Sequence, residues 1–321
     1  MATIKDVAKE AGVGVGTASR ALSGNGSVSD DARKRIDAAV KKLNFVPNQS
    51  ARNLKNQTCA TMAISVPTIR HPFFAKIIYY VEECLSRRGV RMLVVNSQDK
   101  KSKESEMLEM IRQARVDGII FITHHAHDSI DENLPIVSVD RHIGGKVPFV
   151  TSNNYEASRE AVEYLLSRGA KRVGCVCGKT AVESEVQLRY KAYDDCMREH
   201  GLPSRLEVAD FKHGDEMEVM REYLQNNPDI DGLFAGSDML ANAAYYNALL
   251  LGKRVPEDLQ IAGFDGVMDE WCPHPKLTTV QQDIEALAAT AVDVLFARVR
   301  GEEYEHKTVI KAKLKIGETT K

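Results

Sequence analysis

Thr3-Ile4-Lys5-Asp6-Val7-Ala8-Lys9-Glu10-Ala11-Gly12-Val13-Gly14-Val15-Gly16-Thr17-Ala18-Ser19-Arg20-Ala21-Leu22-Ser23 carries the decisive pattern in this chain of 321 residues. Ile4, Val7, Ala8 and Ala11 fall at helical spacing, and Gly12-Val13-Gly14 interrupts it. A second helix fits Val15 to Ser23, with Ala18, Ala21 and Leu22 on its apolar face. Two short helices joined by a tight glycine-containing turn form the helix-turn-helix pattern. Alanine at 8, 11 and 18 lets the helices cross closely. The second helix then presents Val15, Gly16, Thr17, Ser19 and Arg20 near its N-terminal half, the part of such a unit that enters a major groove. Arg20 has the fork for a bidentate contact to guanine, and Thr17 and Ser19 can bond phosphate or base. An alanine-rich bundle used only for packing is the plain alternative, and it leaves that face unexplained.

Outward from this run, Gly24-Asn25-Gly26 ends the second helix. Ser29 suits the N-cap of a third, whose first turn holds Asp30 and Asp31. Ile36, Ala39, Val40 and Leu43 form its buried stripe, with Lys34, Arg35, Lys41 and Lys42 mostly outside it. Residues 1–57 carry ten Lys/Arg against five acids, a balance of +5. The remainder carries −7, so the overall −2 conceals a basic head on an acidic body. That asymmetry points to a polyanion met by the head alone. Asn48-Gln49-Ser50-Ala51-Arg52-Asn53-Leu54-Lys55 reads as a linker of one or two helical turns, too short to stand alone and ordered by a partner. Leu54, beside Arg52 and Lys55, could wedge into a minor groove; an ordinary packing role is the alternative.

From residue 60 short apolar runs alternate with amphipathic stretches. Strands are expected at 60–66, 90–95, 116–122, 135–139, 172–177, 231–235 and 259–264. Helices are expected at 73–87, 102–114, 155–167, 188–200, 217–225 and 238–251. This βαβα order predicts parallel sheets covered on both faces. Leu85-Ser86-Arg87-Arg88-Gly89 echoes Leu166-Ser167-Arg168-Gly169, and Val116-Asp117-Gly118 echoes Ile230-Asp231-Gly232. Two similar α/β lobes explain the echoes, with a ligand cleft at the carboxyl ends of the strands.

The head resembles that of the lactose-repressor-type (LacI/GalR) regulators along Thr3–Val13 and Gly16–Gly24. Leu43-Asn44-Phe45-Val46-Pro47-Asn48 and Ala51-Arg52-Asn53-Leu54-Lys55 are similar to that family's third-helix end and hinge. The resemblance implies a homodimer on a pseudo-palindromic operator, with paired hinge helices opening the minor groove through Leu54. It adds Thr3, Asn25, Asn48, Ala51 and Lys55 to the expected DNA contacts. Further along, Val66-Pro67, His71-Pro72-Phe73-Phe74, Val139-Asp140-Arg141, Gln187-Leu188-Arg189-Tyr190, Gly236-Ser237-Asp238 and Gly263-Phe264-Asp265 resemble the ligand-side loops of a two-lobed, periplasmic-binding-protein-like core. Leu277-Thr278-Thr279-Val280-Gln281-Gln282-Asp283 resembles the crossover before the chain returns to the first lobe. The implied organisation is a head and hinge over 1–57 and a core over 60–321. Within the core, one lobe is about 60–153 plus 283–306 and the other about 154–282 plus 307–321.

By the same resemblance Arg189 and Asp265 match the recurrent effector-binding pair. Their chemistry suits a polyol, because a guanidinium donates to hydroxyl oxygens and a carboxylate accepts from hydroxyls. His71, Phe73, Thr123, Asp140, Arg141, Ser237 and Asp238 are further candidates; each could equally be a cap or a salt bridge, and Asp238 could cap the helix it opens. Arg70, His71, His124 and Arg141 suggest a positive cleft mouth and hence an acidic or phosphorylated sugar. Gly14, Ala18 and Gly317 depart from the family pattern, Ala18 standing where valine is usual. Gly14 replaces a usual serine, removing a hydroxyl that would cap the second helix, and Gly317 replaces a usual arginine in the last strand.

Enzyme signatures are missing. Gly12-x-Gly14-x-Gly16 is not the dinucleotide fingerprint, Gly144-Gly145-Lys146 lacks the upstream glycine of a phosphate loop, and no GxSxG occurs. His124-His125-Ala126-His127 lacks a distant partner cluster for a metal and reads as a loop. Cys175 and Cys177 read as buried strand thiols. Met1–Asp6 has no apolar signal core and six scattered cysteines form no framework, so a cytoplasmic protein without cofactor or metal is expected. The expectation is a DNA-binding regulator, most often a repressor in that family, controlled by a small effector in the cleft. A cytoplasmic sugar-binding protein, or an α/β enzyme on a carbohydrate-like ligand with the head as a non-DNA module, is the alternative.

Overall fold

The computed structural model describes the chain apart from residues 1, 24–26, 46–58, 124, 126, 128, 129, 142, 144, 181–183 and 269–274. The expected contacts at Asn25, Asn48, Ala51, Leu54 and Lys55, and the hinge that holds four of them, lie outside the described residues. The chain divides into two compact units, Met1–Cys59 and Ala60–Lys321.

In the first unit α1 spans Ile4–Glu10, α2 Val15–Ser23 and α3 Asp30–Lys42. Thr3 and Asp6 close a capping box on α1: Asp6 N donates to Thr3 Oγ1, and Thr3 N donates to Asp6 Oδ2 at 2.8 Å. Those bonds hold the Asp6 carboxyl below the usual aspartate range. Gly12, at φ +62°, ends the turn after α1, where a left-handed backbone favours glycine. Val7, Ala11, Ile36 and Ala39 form the small core, and Ala18 is fully buried. Lys42 Nζ ties α3 to Glu10 of α1 at 2.6 Å.

The second unit holds two six-stranded sheets. The first contains β1 (Thr61–Val66), β2 (Arg91–Asn96), β3 (Ile119–Phe121), β4 (Ile136–Val139), β5 (Phe149–Ser152) and β11 (Lys307–Ile310), in the order β11-β5-β4-β3-β1-β2 and wholly parallel. The second contains β6 (Val173–Gly178), β7 (Leu206–Ala209), β8 (Gly232–Ala235), β9 (Gln260–Asp265), β10 (Thr278–Gln281) and β12 (Lys313–Lys315). Its order is β12-β10-β9-β8-β6-β7, with only β12 antiparallel to its neighbour. Helices α4 (Pro72–Ser86), α5 (Lys101–Arg112) and α10 (Ile284–Arg300) cover the first sheet; α6 (Asn154–Ser167), α7 (Gln187–Glu199), α8 (Glu216–Asn226) and α9 (Asp238–Leu250) cover the second.

Periodicity explains the packing. On α4, Phe73, Ile77, Val81 and Leu85 recur every fourth residue, and all are buried against β1, β3, β4 and α10. Each contributes roughly 1.5–3 kcal/mol when fully buried. Cys175 and Cys177 lie in the second lobe's core, as expected of strand thiols. One boundary differs from the expectation. Lys307–Ile310 pairs in parallel with β5, so this strand belongs to the first lobe, and the last passage between lobes comes at Lys311-Ala312. The chain therefore passes between the sheets near residues 153, 282 and 311.

Candidate effector cleft and DNA-reading face

The loops at the carboxyl ends of the parallel strands enclose a cavity of about 220 Å³. Its wall includes His71 and Phe73 after β1, Asp140 and Arg141 after β4, Arg189 on α7, Ser237 after β8 and Asp265 at the end of β9. This is where ligands bind in open α/β sheets.

Arg189 is 4% exposed and fixed on every side. Its Nε donates to Asn154 Oδ1 at 2.8 Å, and its Nη1 donates to the Gly236 carbonyl at 2.8 Å. Asp265 Oδ1 lies 3.4 Å from Nη1, and the guanidinium carbon sits 3.7 Å from the centroid of the Phe264 ring. Burial pushes the Asp265 carboxyl up to about 7, against the opposing pull of Arg189. Asp265 stands at φ +113° and Asp140 at φ +58°, as does Asp99 of the same wall at φ +53°. Non-glycine residues held in this region store strain where surrounding structure over-determines it.

A buried hydrogen-bond chain joins this wall to two of the passages between lobes. Gln282 Nε2 donates to Asp265 Oδ1 at 2.9 Å, and Ser152 Oγ donates to Gln282 Oε1 at 2.6 Å. Asn154 Nδ2 donates to Thr151 Oγ1 at 3.1 Å, and Thr151 Oγ1 donates to Asp140 Oδ1 at 2.7 Å. Several contacts span the lobes directly, among them the bond from Ser184 Oγ to the Asp140 carbonyl at 3.0 Å. Arg141 Nη1 donates to Ser184 Oγ at 2.9 Å, and the rings of His71 and His213 lie 5.5 Å apart. Lys307 Nζ pairs with Glu185 Oε1 at 3.0 Å outside the cavity.

Two expected residues stand elsewhere. Thr123 is fully buried, donating to Glu104 Oε2 at 2.6 Å, and Glu104 also pairs with His127 at 2.7 Å. Asp238 is fully buried beneath the wall, accepting from Thr279 Oγ1 at 2.5 Å and from Val267 N at 2.8 Å. Burial pushes its carboxyl up to about 6. Ser237 lines the cavity but also caps α9 through Leu240 N, and His71 caps α4 through Phe73 N. The cavity also takes in Phe74 of the quoted ligand-side loop, together with Phe211, His213 and Glu216, which the sequence reading missed. Among the described residues no cluster of three His, Cys, Asp or Glu side chains could hold a metal ion.

On the head, Val15, Gly16 and Arg20 are exposed on α2, whereas Thr17 and Ser19 are half-buried. The Gly14 carbonyl accepts from Thr17 N at 2.9 Å and Ala18 N at 3.0 Å, so Gly14 opens this helix without a capping side chain. A Cβ at Gly14 would meet nothing within 4 Å. At Gly317 the reverse holds: a Cβ would stand 2.2 Å from the Lys276 carbonyl oxygen, so no arginine fits there. Thr3 spends its hydroxyl on the capping box, with Oγ1 donating to Asp6 Oδ2 at 2.8 Å.

Comparison with known proteins agrees with both halves of this description. The family described as "Periplasmic binding proteins and sugar binding domain of LacI family" matches residues 59–318, and "Bacterial regulatory proteins, lacI family" matches residues 3–48. The ribose operon repressor of Halalkalibacterium halodurans is 34% identical over 326 residues, covering 100% of this chain and 98% of the relative. The PurR repressor of Haemophilus influenzae is 32% identical over 308 residues, covering 93% and 91%. The regulator CelR in complex with cellobiose superposes with a TM-score of 0.72 at 27% identity, over 99% of this chain and 100% of that one. The lac repressor dimer bound to operator and the anti-inducer ONPF superposes with a TM-score of 0.87 at 22% identity, over 99% of each chain. With its head and its core each matched, the chain belongs to the LacI family of bacterial regulatory proteins.

Proposed function

We propose that this protein is a sequence-specific transcriptional repressor whose affinity for operator DNA is set by a small polyol in the cleft. Arg189 carries the reading: it is clamped by Asn154, Gly236, Asp265 and Phe264 at the cavity wall, in hydrogen-bond continuity with the crossover residue Asn154. A cavity of about 220 Å³ is smaller than the roughly 300–1,000 Å³ that drug-sized ligands occupy, and suits a single sugar ring. Repressors named for the ribose and sucrose operons among the relatives support a sugar, and PurR makes a purine base the competitor.

In this reading residues 1–57 form the DNA-binding head and hinge, 60–321 form the effector-binding core, and two copies bind a pseudo-palindromic operator in the cytoplasm. The protein is then a regulator rather than an enzyme, which relatives named as repressors support. Ligand binding shifts the population between lobe arrangements that differ in operator affinity. The test is a thermal-shift screen of the full chain with pentoses, hexoses, sugar acids, sugar phosphates and purine bases. Each stabilising compound is then added to a gel-shift assay on duplex selected from a random pool. The expected result is a compound that does both, stabilising the chain and changing duplex affinity. Stabilisation by purines alone would replace the sugar.

A further inference from the structure

Arg141 differs from Arg189 and Lys179 of the cavity wall in having no ion pair among the described residues. It is 7% exposed, and its Nη1 donates to Ser184 Oγ at 2.9 Å. Its buried Nε has no acceptor among the described residues. Arg189 has Asp265 at 3.4 Å, and Lys179 has Asp210 at 3.6 Å. Asp99 and Asp140 of the same wall act on Arg141 through space only, and three carboxylates of the cavity are engaged by other groups. Asp140 Oδ1 accepts from Thr151, Asp265 Oδ1 accepts from Gln282, and Glu216 binds both His213 and the Gly214 amide.

A buried guanidinium with one neutral hydroxyl acceptor, an unsatisfied Nε and no carboxylate in direct contact among the described residues is short of both countercharge and acceptors. A ligand hydroxyl would satisfy one donor and leave the charge. A carboxylate or phosphate oxygen pair matches the fork and supplies the countercharge.

We infer that the effector is a monosaccharide-sized polyol bearing one anionic group, carboxylate or phosphate, which seats on Arg141 while Arg189 and Asp265 hold hydroxyls. This rests on the cleft being the effector site. It narrows the ligand from sugars at large to sugar acids and sugar phosphates.

Isothermal titration of the full chain tests it, using neutral hexoses and pentoses, their aldonic and uronic acids, and their phosphates. At least one acid or phosphate should bind about tenfold or more tighter than its neutral parent, and which of the two does so identifies the group. Arg141→Met should abolish that preference, weakening the acid or phosphate about tenfold or more beyond any loss for the neutral parent; Arg141→Lys, which keeps the charge without the fork, should retain part of it. If Arg141→Met does not fold, Arg141→Lys alone must narrow the preference. A neutral sugar that binds more tightly than its acid and phosphate, and is weakened with them alike by either variant, overturns the inference while leaving the cleft an effector site. Binding by no compound of any class overturns the inference and the effector reading together.

Discussion

Gln282 binds Asp265 with one end of its amide and Ser152 with the other: Nε2 to Oδ1 at 2.9 Å, and Oε1 from Ser152 Oγ at 2.6 Å. One side chain thus connects a cavity carboxylate to two of the passages between lobes. Gln282→Leu removes both bonds and leaves buried Asp265 and Ser152 short of a partner, which costs on the order of 1–3 kcal/mol. Urea unfolding should show that loss. The change in duplex affinity caused by a ligand should shrink as well, because the ligand would no longer be tied to the crossover.

The acidity of Asp265 makes stability depend on pH with a definite sign. An ordinary aspartate titrates at 3.8, whereas burial holds Asp265 up at about 7. Between those values the folded chain keeps a proton that the unfolded chain has released, so this group's contribution to stability falls as pH rises through the window. Asp265→Asn removes the titration. Its stability relative to wild type should therefore increase from about pH 5 to about pH 8, measured by urea unfolding at each pH. A difference that stays constant with pH would place the Asp265 carboxyl near its ordinary value.

Gly317 is required by close approach. Its amide donates to Thr278 Oγ1 at 2.9 Å, and an added Cβ would collide with the backbone of Lys276 and Leu277. Gly317→Ala should lower stability by about 1–3 kcal/mol through overpacking, seen as a lower thermal midpoint. The ligand panel should be unaffected, since Gly317 does not line the cavity.

Gly14 is the opposite case. Space around it is open and a serine hydroxyl could cap α2, but glycine is itself a fair N-cap, so Gly14→Ser should gain only a few tenths of a kcal/mol. Thermal unfolding of the head would read that gain.

Arg20 is exposed on α2 with Val15 and Gly16. Arg20→Ala should cost about 1–3 kcal/mol at one base pair of each half-site, relaxing sequence preference more than non-specific affinity. Equal weakening on selected and random duplexes would make Arg20 a phosphate contact. The basic head also predicts that duplex binding weakens steeply with salt, as a plot of log affinity against log salt would show.

The βαβα alternation and the head's three helices were legible because each rests on a local period. Phe73, Ile77, Val81 and Leu85 on α4 illustrate how directly that period becomes a buried face. Arg189 and Asp265 were legible through the motifs around them. Thr123 and Asp238 were not separable from wall residues, since a sequence cannot say which side of a strand end a polar group faces. Both turned inward to buried partners. His213 and Glu216 escaped notice because they reach the cavity from the loop after β7, where no periodicity marks them. The paired spacing of His213, Gly214 and Glu216 was the available signal. Lys307–Ile310 alternates exposed and half-buried as an edge strand does, which hid its membership of the first sheet.

The most direct measurement of ligand control is the affinity of the full chain for its selected duplex by fluorescence anisotropy, with and without the stabilising ligand, in wild type and Arg189→Met. The expected result is a ligand-dependent change of about fivefold or more in wild type, and none in Arg189→Met although it still binds the duplex. A ligand that stabilises the core yet leaves wild-type duplex affinity unchanged would contradict control of the head by the cleft.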